Sequence, residues 1–188
     1  KTFVGALVAL AAGSSRLQQM DSSEESAQGR VQAWVAGLQM LKSRPVLGIG
    51  VDQFTAYHER VAHNSFVHVF AEVGLVGGYF FVGMFYWFLA GTGCARDVTG
   101  AAGSPRALDL WASGIGVIVC VCFLSRQYSP VLYVPLALGA VRMSVERTDD
   151  HLKSVQSGWD WLVVLLLSGG VVVATYAITR ALVVFFRG

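Results

Sequence analysis

The residues best suited to chemistry lie around His63-Asn64-Ser65, where a hydrophilic loop runs into a long apolar stretch. A histidine can take or give a proton near neutral pH. At the N-terminal end of a helix it would stand beside exposed N–H groups that favour anions such as phosphate. The alternative role for His63 is an interfacial residue that only caps the helix. Further along, Ser65, His68, Glu72 and Val76 fall on one helical face, and His68 and Glu72 are spaced to pair. An ionisable group inside a membrane is costly and faces protein or a wet cavity. Glu72 is therefore a functional candidate, its alternative being a structural bond to a neighbouring helix. Gly74, Gly77 and Gly78 suit close helix packing. Arg30 precedes Trp34 by four residues, and its guanidinium could grip a pyrophosphate bidentately or simply be solvated. Arg126, on the turn Ser125-Arg126-Gln127-Tyr128, is a second cation, suited to catalysis or to lipid headgroups. His58, His63 and His68 are five apart, which gives no helical metal pair, and Cys94, Cys120 and Cys122 show no metal or disulfide spacing. No metal site is expected.

The elements that must carry these residues are membrane helices. The chain is 54% hydrophobic and only 14% charged, against about a quarter charged in soluble domains. The stretch 158–186 holds only Asp160 and Arg180 as charges, and 64–90 holds only Glu72. About 20 apolar residues cross a bilayer, so both are long enough. The reading is an all-α, polytopic transmembrane bundle with an extracytoplasmic helical loop. Residues 1–13 read as a partial transmembrane helix, Thr2–Ala12 being too short to span, so the sequence reads as the C-terminal part of a larger protein. Residues 14–62 form the loop. In it Ser22 and Glu25 offer a capping box, and Val31, Trp34, Val35, Leu38 and Leu41 make an amphipathic helix over about 24–43. Pro45–Gly50 reads as a turn with permissive backbone, and a short helix is expected from Asp52 to about Glu59. Spans are drawn at 64–90, 108–124, 128–143 and 158–185, within a membrane region 63–143 and a last helix 158–186. The third contains Pro130 and Pro135 and reads as a broken or re-entrant helix. Arg96 and Arg106, then Arg142, Arg147 and Lys153, mark 91–107 and the loop 144–157 as cytoplasmic. That places loop 14–62 outside, and also the end of the last helix, with room for more protein beyond Gly188. A net charge of +2, without a basic cluster, gives no sign of nucleic acid.

Taken in order, Arg30-x-x-x-Trp34, Pro45-Val46-Leu47-Gly48-Ile49-Gly50 with Phe54, and His63-Asn64 resemble the O-antigen ligase and polymerase family. The family's signature is His, then Asn, Ser or Gln, nine residues, Gly, two residues, then Gly, Thr or Tyr. His63-Asn64, Gly74 and Gly77 fit it throughout. The resemblance covers roughly residues 30–78. It implies an inverting transfer of a glycan from an undecaprenyl-diphosphate donor to lipid A-core, another glycan or a protein hydroxyl. It implies no metal or cofactor, an inner-membrane location and a periplasmic active face. His63 would be the general base or the positioner of the acceptor hydroxyl. Arg30 would hold the diphosphate, and Asn64, Glu72 and Arg126 would contact substrate. A second loop arginine belongs to the pattern, with Arg16, Arg44 and Arg60 all open. A fixed cation beside a leaving diphosphate and a neutral histidine beside a sugar hydroxyl suit such chemistry.

Within the same class a polymerase competes with a ligase, and outside it a transporter and a structural membrane scaffold without chemistry. A polysaccharide polymerase shares the same signature. A transporter of lipid-linked sugars would explain Glu72 and broken helices, but it predicts internal repeats, which the sequence lacks.

Overall fold

A computed structural model describes residues 26–98, 105–125, 127–146 and 158–186. The capping box at Ser22 and Glu25, the stretch Thr2–Ala12, Arg16 and Arg126 lie outside the described residues. Among the described residues every regular element is helical: α1 (26–43), α2 (Phe54–Tyr57), α3 (Ser65–Val98), α4 (Pro105–Phe123), α5 (Pro130–Glu146) and α6 (Gly158–Phe185).

Helix α1 has the expected amphipathic form. Val31, Ala33, Met40 and Leu41 are buried, while Gln28, Gln32 and Gln39 are exposed. Helix α2 is shorter than Asp52–Glu59. Asp52 stands in the left-handed region at φ 60°, and His58 is extended at φ −148° and ψ 130°, so the helix has room for one turn.

The break expected in the proline-bearing span is found elsewhere. Helix α5 continues through Pro135 as one element. Pro130 opens it, where the missing N–H costs nothing. The irregular helix is α3, which is interrupted at Gly74 (φ 68°, ψ −164°). The main-chain groups freed there bond to the segment 45–50, which lies across the break. Ile49 N–H donates to Ala71 O at 3.0 Å and Gly50 N–H to Glu72 O at 2.9 Å. In return Leu75 N–H donates to Pro45 O at 2.8 Å and Val76 N–H to Val46 O at 3.3 Å. Unsatisfied backbone inside a bilayer costs several kcal/mol per group, so such a break persists only where protein covers it. The approach needs glycine on both sides. Gly48 (φ 71°) has no room for a Cβ beside the carbonyl of Glu72, nor has Gly74 beside that of Val46.

Helices α3, α4 and α5 share a core of Val69, Phe81, Phe85, Phe88, Val121, Leu132 and Leu136. The Phe88 ring lies against Gly114 of α4 and Gly139 of α5, small residues that let three helices close on one aromatic side chain. A second cluster, with Met40, Ile49, Phe54, Ala62, Val67 and Ala71, fastens α1 and the loop to the start of α3. Helix α6 runs antiparallel to α3. Tyr86 donates to Asp160 at 2.7 Å near one end, and Phe70 meets Val171 and Val172 further along. The far end of α6 reaches α1, where Val183 and Phe186 face Gln28 and Val31 across a cavity of about 350 Å³.

The outer faces are strongly apolar. Val131, Leu138 and Val141 of α5 and Leu166, Val173, Val184 and Phe185 of α6 are exposed. Water does not tolerate so large a continuous apolar surface, whereas lipid does. Ser65–Thr92 and Trp159–Phe185 are each long and apolar enough to span.

Candidate active site at the loop and the start of α3

Asn64 is the N-cap of α3. Its Oδ1 accepts from Phe66 N–H at 2.9 Å and Val67 N–H at 3.1 Å, which satisfies two of the orphan donors of the first turn. This use of Oδ1 accounts for Asn64 without a substrate. His63, one residue earlier, sits in the left-handed region at φ 49°, a conformation rare outside glycine. Its side chain is exposed and bonds to no described residue. The loop thus presents a free imidazole directly above the positive end of α3.

Arg30 reaches this place through α1. Trp34 Nε1 donates to Ala62 O at 2.7 Å, fixing the residue immediately before His63. Arg30 is one turn before Trp34 on the same side of the helix. It is exposed, so its guanidinium is available.

Of the three arginines left open by the sequence, Arg44 and Arg60 lie among the described residues, and the structure sets them apart. The Arg60 guanidinium lies over Gly29, which adjoins Arg30 in the chain. The loop is folded back there by Arg60 N–H, which donates to His58 Nδ1 at 3.2 Å. Arg44 lies at the opposite end of α1, about 21 Å from Arg30 at 1.5 Å per residue. Between α1 and the loop is a cavity of about 530 Å³, lined by Gln28, Gly29, Gln32, Tyr57, His58, Glu59 and Arg60. Its amides, ring and charges suit a polar, hydroxyl-rich ligand.

Glu72 is placed differently. It is 0% exposed. Its Oε1 accepts from Phe54 N–H at 2.9 Å and lies 3.2 Å from His68 Nε2, as the helical spacing predicts. Its Oε2 accepts from the Tyr128 hydroxyl. The Phe54 ring, itself 0% exposed, covers the His68 ring at 4.5 Å. The carboxylate has no open face toward a substrate. The structure therefore seats the helix of Arg30 against the loop of Arg60 and His63, through Trp34 and Gly29, and buries Glu72 and His68. Among the described residues no three His, Cys, Asp or Glu side chains converge as a metal ion would require.

Phe54 and Tyr128 were not named as site residues from the sequence, and Arg60 was named only as one of three open arginines. Tyr128 and the Phe54 N–H carry no spacing signal relative to Glu72, since both contacts cross long loops. The pairing of Gly48 with Gly74 did leave one, because glycines stand on both surfaces of the close approach.

Residues 2–82, which include all of this site except Tyr128, match the sequence profile of the family described as O-Antigen ligase. No curated protein and no solved structure matches the chain.

Proposed function

Because residues 2–82 belong to the O-antigen ligase family, we propose that this protein transfers a glycan from an undecaprenyl-diphosphate donor to an acceptor hydroxyl, with inversion. The observation that carries the reading is the Trp34 to Ala62 bond, which brings the Arg30 helix against the His63 loop. His63, unpaired and exposed, takes the proton of the acceptor hydroxyl. The hydroxyl oxygen forms the new bond to the anomeric carbon from the face opposite the diphosphate. The bond from that carbon to the diphosphate oxygen breaks, and the electron pair leaves with the diphosphate. Arg30 and Arg60 stabilise the charge that grows on it, as forked cations do for phosphates. The glycan next to the diphosphate occupies the polar cavity between α1 and residues 57–60. Asn64, next to His63 in the chain, sets the start of α3.

The same reading puts the site on the periplasmic face of the inner membrane. It is supported by α1 and the end of α6 lying together and by the arginines in the opposite loops.

The test uses the protein in lipid with an undecaprenyl-diphosphate oligosaccharide, chelator and, in one arm, lipid A-core. Product only with lipid A-core marks a ligase, and a ladder without it marks a polymerase. His63→Ala is expected to lower transfer by at least a hundredfold while the protein still inserts. Normal transfer by that variant would remove His63 from the reaction.

A further inference from the structure

We infer that Glu72 is a positioning residue, a buried anchor that docks the loop carrying Arg30, Arg60 and His63 onto the membrane bundle. The inference rests on the proposed transfer only for the meaning of "active". The anchor itself stands on geometry. Three separate parts of the chain converge on this one carboxylate: the N–H of Phe54 in the loop, His68 one turn earlier on α3, and the Tyr128 hydroxyl from the turn between α4 and α5. The Glu72 carbonyl also accepts from Gly50 N–H, so backbone and side chain of one residue hold the same loop at two points. Phe54 carries the restraint onward. Its ring packs against Gly37 of α1 and over His68. Helix α1 and residues 57–62 are joined to each other through Trp34 and Gly29. They form a unit whose place above the bilayer is set where Phe54 meets Glu72.

A carboxylate that held substrate or moved a proton would be ruined by the neutral isostere. An anchor would not, because glutamine Oε1 still accepts from Phe54 N–H and from His68, and the Tyr128 hydroxyl can accept from the new amide. Alanine leaves all three partners stranded in a buried site.

The experiment compares E72Q and E72A in the full-length protein in lipid nanodiscs, by transfer rate and by hydrogen exchange of residues 45–62. E72Q is expected within about threefold of wild-type transfer, and E72A at least thirtyfold down. In E72A, amides of 45–62 exchange at least tenfold faster, while those of α6 are unchanged. Should E72A fail to insert, Tyr128→Phe takes its place, with exchange of 45–62 faster by at least fivefold. E72Q as inactive as E72A, with exchange unaltered, would assign Glu72 to the chemistry and overturn the anchor. Unaltered exchange in E72A, or in Y128F where that variant stands in, would overturn it too. Faster exchange in E72A, together with normal transfer by His63→Ala, would keep the anchor and sink the proposed reaction instead.

Discussion

At the scale of single residues, the site turns on which arginine stands beside Arg30. Arg60 crosses Gly29 in the adjacent position, whereas Arg44 is at the other end of α1. A charge-assisted bond to a phosphate is worth about 2 kcal/mol. Arg60→Ala is therefore expected to lower kcat/KM for the lipid-linked donor by about thirtyfold, and Arg44→Ala by less than threefold. Steady-state rates against donor concentration check both, and equal losses would discard the assignment. Of the residues singled out in the sequence, the structure shows one contact as expected, that of His68 with Glu72. His63 and Arg30 came from residue type and order, and the His68–Glu72 pair from helical spacing. Whether Arg44 or Arg60 stands nearer Arg30 was not legible, because both lie in one loop and only its folding over α1 separates them. Nor was the burial of Glu72, since spacing gives the face of a helix but not what covers it.

At the scale of elements, the informative feature is the break in α3. The sequence placed irregular backbone in the proline-bearing span, on the sound ground that proline removes a donor. Yet Pro130 falls at a helix start, where it does no harm, and α5 continues through Pro135. The interruption came from Gly74, whose role depends on Gly48 about 26 positions earlier in the chain. Long-range backbone pairing of this kind has no local periodicity to betray it. Gly48→Ala and Gly74→Ala each force a Cβ into a left-handed residue and into an opposing carbonyl. Each is expected to cost about 2 kcal/mol or more, seen as a lower melting temperature in lipid and faster exchange of residues 45–50. Leucine or alanine scanning at Gly169, where nothing is within reach of a new Cβ, is the built-in contrast.

At the scale of the whole molecule, the described residues form an apolar bundle with a polar crown where α1 and residues 44–62 lie. The all-helical class and the two long spans were plain from composition, because runs of that length have few other uses. The antiparallel course of α3 and α6 brings the end of α6 under α1. A cysteine replacing Gln32 and another replacing Leu47, both exposed, are expected to react with a membrane-impermeant maleimide added from the periplasmic side. Labelling of either only after the cytoplasmic side is opened would reverse the orientation.

The junction of residues 45–50 with α3 has a last consequence. It is made through main-chain N–H and carbonyl groups, which every amino acid except proline supplies alike. Val46, Leu47 and Val51 meanwhile point outward, 58%, 73% and 58% exposed. Their identity can change without shifting the attachment. A loop mounted in this manner can be re-lettered on its outer surface while the attachment beneath stays in register.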